Sequence, residues 1–284
     1  MTVQSGGTVG DFMHRNLEVV PPETTVIIAA ERMRGKYIGS LLVQPTDPEG
    51  RVFRRSGIVT ETDLIGKVLA KGMDSSLVRV DQIMTSPPLT ITQDRPMLDA
   101  NHLMETSHVR HLCVSDGEEI VGVISVRDLV RYFVDSEGGP IRDLDNVFRP
   151  LSVLRVLMQT TMATIASERM VLEAAQTMAE KRIGSLLVLE AGDIVGIVTE
   201  TDVVRKVIAA GLPARSTCVG AVMNAPLIEI EVDDTAREAS RLMAEKRIRH
   251  LAVTEDNKVV GLLSLRDLVK VVSIRDESRF LRST

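Results

Sequence analysis

The chain has 284 residues, 44% of them hydrophobic and 26% charged, the balance of a soluble globular protein with room for two domains of ordinary size. A net charge of −5 argues against a nucleic-acid binder, and with no tryptophan and 2% aromatics there is little to stack on single-stranded bases. No run of 18 apolar residues offers a membrane span, and two isolated cysteines, Cys113 and Cys218, argue against a disulfide framework or a cysteine-based metal site.

Residues 1–10 are small and polar without the basic-then-apolar pattern of a signal segment, so we expect a frayed end of a cytoplasmic protein. Ile38-Gly-Ser-Leu-Leu-Val43 reads as a strand, 44–56 as a long hairpin tip, and Gly57-Ile-Val-Thr-Glu-Thr-Asp63 as a strand leading into a helix. Arg110-His-Leu-Cys-Val114 and Gly122-Val-Ile-Ser-Val-Arg-Asp128 repeat that layout. The polar stretch 135–146 contains Gly-Gly-Pro and marks a domain boundary. Beyond it, Ile183-Gly-Ser-Leu-Leu-Val188 and Gly196-Ile-Val-Thr-Glu-Thr-Asp202 restate the first repeat, with Gly211 as a helix stop.

The fourth repeat shows the elements most fully. Residues 227–232 fit a strand, and Asp233-Asp-Thr235 opens a helix with Ala236, Ala239, Leu242 and Met243 on its apolar face. Residues 248–253 fit a strand, 255–258 a turn and 259–265 a strand, followed by a helix from about Ser264 that turns Leu268, Val269, Val271 and Val272 inward. The spacing is strict. Asp63 to Asp128 and Asp202 to Asp267 are each 65 residues, and Asp63 to Asp202 and Asp128 to Asp267 are each 139. Two unlike repeats therefore occur as a unit, twice. The first repeat carries six extra residues in its hairpin.

Four strand–helix–strand–strand–helix copies with these exits resemble CBS domains, and two consecutive copies resemble a Bateman module. The resemblance covers roughly 8–135 and 150–275, with repeats at 8–72, 78–135, 150–211 and 217–275 and a linker at 136–149. It implies an α/β (α+β) fold of four β-α-β-β-α repeats forming two pseudo-twofold Bateman modules. It also implies clefts for adenosine-containing ligands: AMP, ADP, ATP or S-adenosylmethionine. Carried over residue by residue, Asp63, Asp128, Asp202 and Asp267 match the carboxylate that takes the ribose hydroxyls. Thr60, Ser125, Thr199 and Ser264 match a hydroxyl facing phosphate, and Arg110, His111, Arg249 and His250 match a basic pair on the second strand.

The same residues have a plainer use. Thr60-x-x-Asp63 and its three relatives are capping boxes, each worth about 1 kcal/mol without any ligand. The glycines at 57, 122, 196 and 261 suit a strand passing close beneath a neighbour. Arg110-His111 and Arg249-His250 are harder to explain, because adjacent strand residues point to opposite faces and one of each pair faces inward. A buried arginine calls for an anionic ligand or an acidic partner. Arg127 and Arg266 either clamp phosphate or pair with acids, while the neutral Thr62 and Thr201 take their place in the other repeats. This asymmetry predicts phosphorylated adenosine at Asp128 and Asp267, and less charged adenosyl ligands or none at Asp63 and Asp202.

Three function classes remain. An allosteric nucleotide sensor acting on a regulated protein or an oligomer accounts for most of the motifs. An enzyme is disfavoured, since no Ser-His-Asp order, glycine-rich phosphate loop or metal cluster emerges, and His14, His102 and His108 read as scattered surface or strand residues. An assembly scaffold with vestigial clefts is the third. The two modules could pair within one chain as a disk or across a homodimer, with the apolar face of Val203, Val204, Val207 and Ile208 available for either.

Overall fold

The computed structural model describes residues 7–45, 49–52, 56–132 and 152–270. The linker expected at 136–149, the polar stretch 135–146, and Val271 and Val272 lie outside them. After a short helix α1 (Val9–Phe12), the first repeat runs β1 (Val19–Val20), α2 (Val26–Lys36), β2 (Ser40–Val43), β3 (Gly57–Thr60) and α3 (Glu61–Asp63). The last continues through a π-helical turn, Leu64–Val68. The second runs β4 (Thr90–Thr92), α4 (Met97–Thr106), β5 (His111–Asp116), β6 (Glu119–Ser125) and α5 (Val126–Val130).

Following α6 (Val153–Leu157), the third repeat runs β7 (Thr164–Ala166), α7 (Val171–Lys181), β8 (Ser185–Glu190), β9 (Asp193–Thr199) and α8 (Glu200–Lys206). The fourth runs β10 (Glu229–Glu231), α9 (Ala236–Lys246), β11 (His250–Glu255), β12 (Lys258–Ser264) and a helix α10 over residues 265–270. Each repeat forms its own three-stranded sheet in sequence order, the first two strands parallel and the last two antiparallel. The parallel pair requires a helical crossover, and the antiparallel pair needs only a hairpin.

Local chemistry sets the boundaries. Thr235 caps α9 reciprocally with Glu238: its N–H and hydroxyl donate to the carboxylate at 2.9 and 2.8 Å. Ala236, Ala239 and Met243 are buried along that helix, while Leu242 is half-buried against the same core. Gly211 holds the left-handed conformation (φ 65°) expected of a helix stop. In the first repeat's longer hairpin, Val52 is buried and its carbonyl accepts from the Ile120 N–H at 2.5 Å, so the insertion packs onto the second repeat.

Within each module the repeats exchange the segments that lead into them. His14 bridges Val123, Thr85 bridges Ile58, Gln159 bridges Leu262 and Asn224 bridges Ile197. The methionine just before each bridge, Met13, Met84, Met158 or Met223, lies across Gly122, Gly57, Gly261 or Gly196 of the other repeat. A Cβ at Gly122 or Gly261 would stand 2.5 Å from the Met13 or Met158 Sδ. At Gly57, Gly122 and Gly261 glycine is needed because a thioether passes directly over the backbone, and at Gly196 because the Asn224 carbonyl oxygen would stand 2.6 Å from a Cβ.

The modules then pack on each other within the one chain. One core combines the first and third repeats, with Ala29, Ala30 and Met33 of α2 and Ala174, Ala175 and Met178 of α7. A second core combines the second and fourth, with Met97, Ala100 and Met104 meeting Ala239, Met243 and Leu268. Val203, Val204, Val207 and Ile208 are buried against α2 of the other module. Each such side chain contributes roughly 1.5–3 kcal/mol by leaving water. That apolar face is therefore consumed by intramolecular pairing.

Gly261→Val should force Met158 off the β12 backbone and destabilise the fold by about 1–3 kcal/mol. A urea titration would show a lowered midpoint that Met158→Ala partly restores. An unchanged midpoint would remove the close-approach explanation.

Candidate functional site

All four motif aspartates cap helices, and each uses one carboxylate oxygen to do so. Oδ2 of Asp63 accepts from the Thr60 N–H and hydroxyl at 2.9 and 2.6 Å. Ser125 donates likewise to Asp128, both at 2.8 Å, Thr199 to Asp202 at 3.0 and 2.6 Å, and Ser264 to Asp267 at 2.9 and 2.5 Å. Each Oδ1 points to other partners. At Asp128 it meets His14 Nε2 at 2.9 Å, and at Asp267 it meets Gln159 Nε2 and Lys270 Nζ, both at 3.2 Å. His14 and Gln159 both come from exchanged segments of the partner repeat. At Asp63 and Asp202, Oδ1 is held by Lys67 and Lys206 one turn along, at 2.7 and 3.1 Å. Those lysines are tied to the Ile83 and Val222 carbonyls at 2.6 and 2.8 Å, and Asn224 adds a further bond to Asp202.

The strand arginines find acidic partners in the opposite module. Arg110 donates to Thr62 at 2.5 Å and is ion-paired to Glu200. Arg249 pairs with Glu61 at 2.7 Å and donates to Thr201, whose own hydroxyl donates to Glu61 at 3.0 Å. Glu61 and Glu200 are 2% and 4% exposed, so both carboxylates depend on these partners. Burial opposes ionisation of Glu61, but the Arg249 charge and hydrogen bond outweigh it and hold the carboxyl below its ordinary range. Burial likewise works against the Arg110 charge, and Glu200 more than compensates.

Neither glutamate was singled out from the sequence, although the signal is present. The Glu61 N–H bonds to the Gly39 carbonyl, and Glu200 to Gly184, as Val126 bonds to Arg110 and Leu265 to Arg249. Odd repeats place glycine and glutamate at this pair of positions, and even repeats place arginine and an aliphatic residue. A Cβ on Gly184 would lie 3.0 Å from the Arg110 guanidinium, so the glycine makes room for the incoming arginine.

These groups line one cavity of about 1540 Å³ to which all four repeats contribute. Thr62, Asp63, Arg110, His111, Ser125, Arg127 and Asp128 face it from one module. Thr201, Arg249, His250, Ser264, Arg266 and Asp267 face it from the other, whereas Thr60, Thr199 and Asp202 stand outside the lining. Nine basic and six acidic side chains border it, in a chain whose net charge is −5. Burial and neighbouring like charges, Arg249 for Arg127 and Arg110 for Arg266, lower the pKa of both of these arginines. Neither makes an ion pair among the described residues.

Four residues at the helix ends were also missed: Tyr37, His108, Arg182 and Arg247 all hold left-handed backbone, with φ of 55–58°, and all border the cavity. Arg205 reaches in beside them and lies over the Tyr37 ring, 5.3 Å from its centroid.

With this geometry the chain matches the CBS domain over residues 9–70, 80–135, 153–209 and 219–274. The chain belongs to the CBS domain family. The CBS domain-containing protein CBSCBSPB5 of Arabidopsis thaliana is 24% identical over 276 residues, 87% of this chain and 50% of the relative. The chain thus spans about half the length of the curated relatives it matches. Among solved structures, protein MJ1225 of Methanocaldococcus jannaschii, described as a proposed archaeal homolog of g-AMPK, superposes with a TM-score of 0.74 at 18% identity. That match covers 93% of this chain and 99% of the other. A conserved protein of Pyrococcus horikoshii gives 0.60 at 21%, again with 93% and 99% covered. At these identities the likeness is one of fold. The chain therefore consists of CBS repeats in two tandem pairs, and no described helix is long and apolar enough to cross a membrane.

Burial, reinforced by Arg110 and Arg249, pushes the His111 pKa down to about 4 and the His250 pKa down to about 3. Below pH 6.5 the unfolded chain takes up protons that these folded imidazoles refuse, so stability falls by about 1.4 kcal/mol per pH unit for each. His14 has the opposite sign: its bond to Asp128 raises its pKa, so its contribution is complete below 6.5 and disappears as pH rises through the raised value. His250→Gln should therefore flatten the acid limb of a stability profile between pH 6 and 4. An unaltered slope would show that His250 protonates freely in the folded protein.

Proposed function

We propose that this CBS protein is a non-catalytic regulatory module that binds AMP, ADP or ATP in the clefts of Asp128 and Asp267. It relays occupancy to a regulated protein or to its own assembly. The observation that carries this reading is the division of labour on those two carboxylates. Oδ2 is committed to the helix cap, while Oδ1 receives His14 at Asp128 and Gln159 at Asp267 from the neighbouring repeat, at 2.9 and 3.2 Å, with Lys270 of the same helix also on Asp267. A ribose hydroxyl is a donor of the same kind and can replace them. The basic excess of the adjoining cavity suits the phosphates, with Arg127 and Arg266 nearest to free for them. Ser125 and Ser264 orient the carboxylates, and the neutral His111 and His250 offer a hydrogen bond without adding charge.

The clefts of Asp63 and Asp202 differ. Lysines anchored to the backbone already neutralise their outward oxygens, which favours less charged adenosyl ligands such as S-adenosylmethionine, or none, beside Thr60, Thr62, Thr199 and Thr201.

Calorimetric titration with AMP, ADP, ATP and S-adenosylmethionine tests the proposal. Asp128→Asn and Asp267→Asn should each weaken nucleotide binding on the order of tenfold, the loss of one hydrogen bond to a charged group. The same change at Asp202 should leave it unaltered. Folded, ligand-free protein that binds none of the four compounds would leave the aspartates as helix caps and the chain as a scaffold.

A further inference from the structure

The crossed ion pairs have a consequence for how the site is controlled. Arg110 and Arg249 are the strand cations best placed for an anion in the central cavity, yet each is engaged by a carboxylate from the other module. The engagement is built in on both sides. Gly39 and Gly184 leave the space that a side chain would fill, with a Cβ at either standing 3.4 Å from its own repeat's glutamate Oε2. Thr62 and Thr201 add hydroxyls that bind guanidinium and carboxylate together. The arrangement occurs twice about the pseudo-twofold axis, Arg110 with Glu200 and Thr62, Arg249 with Glu61 and Thr201. Both copies join module to module.

We propose that Glu61 and Glu200 are internal stand-ins for ligand phosphate, so that a phosphorylated ligand gains Arg249 or Arg110 only by displacing a carboxylate of the opposite module. This rests on the nucleotide reading and adds its control: ligand charge, rather than adenosine alone, opens the contact between modules. Occupancy of a cleft and closure of the nearest ion pair are then alternatives. By linkage, whatever loosens the pair tightens phosphate binding, and whatever binds phosphate loosens the pair. Adenosine, with no phosphate, occupies the cleft without disturbing it.

The test titrates ATP and adenosine into the full chain and into Glu61→Gln and Glu200→Gln, which keep side-chain shape and remove the competing charge. Each variant should bind ATP roughly tenfold more tightly than wild type, with adenosine affinity unchanged, as expected for releasing one charged hydrogen bond. Hydrogen exchange on the wild-type chain gives a readout that does not depend on variant folding. Saturating ATP, and not adenosine, should speed exchange in peptides covering 57–66 and 196–206, where the two glutamates begin their helices. ATP bound equally by wild type and variants, or exchange there unchanged or slowed by ATP, overturns the competition while leaving the nucleotide reading intact. Binding of neither compound to any of the three folded proteins overturns both.

Discussion

A carboxylate taken out of water must keep a cation beside it or give up its charge, and Glu61 and Glu200 are almost fully buried. Each satisfies that demand with an arginine from the other module. The pairs join repeats of opposite modules and set the charge at the centre of the cavity, where Arg127 and Arg266 make no ion pair among the described residues. Burial first, and then the field of Arg110 and Arg249, push the pKa of His111 and His250 down.

Around that centre the fold is made by exchange at two scales. Within a module, lead-in segments cross so that a methionine of one repeat lies on a glycine of the other, and the next residue reaches the partner's cleft. His14 at Asp128, Gln159 at Asp267 and Asn224 at Asp202 all occupy that next position. Between modules, apolar helix faces cross in the same way, first repeat with third and second with fourth. No repeat completes either its core or its cleft alone. Each of these clefts therefore contains a side chain that belongs to a neighbouring repeat.

Much of this was legible in the sequence. The 65- and 139-residue phase of the Asp motifs defined four repeats, and the apolar spacing of Ala236, Ala239 and Met243 located a helix face that is buried as expected. The capping boxes were readable because cap chemistry is local, confined to residues three apart. The strand glycines were readable as close-approach positions, but what approaches them was not, because Met13 and Gly122 are brought together only by the exchange. The histidines show the limit well. His14 read as a scattered surface or strand residue, and its bond is to a carboxylate 114 positions away.

Local sequence thus determined the elements, the repeat order, the caps and the residue types available at the site, because those follow from side-chain spacing and short-range hydrogen bonding. It also showed that an inward arginine needs an anion, while leaving open whether ligand or protein supplies it. Tertiary structure decided that Glu200 and Glu61 fill that role, that the modules pair within the chain, and that lysines one turn along hold Asp63 and Asp202 while His14 and Gln159 of exchanged segments reach Asp128 and Asp267. The reason is that electrostatic pairing and desolvation act through space, between residues 90 and 188 positions apart, where no local pattern records which charge will meet which.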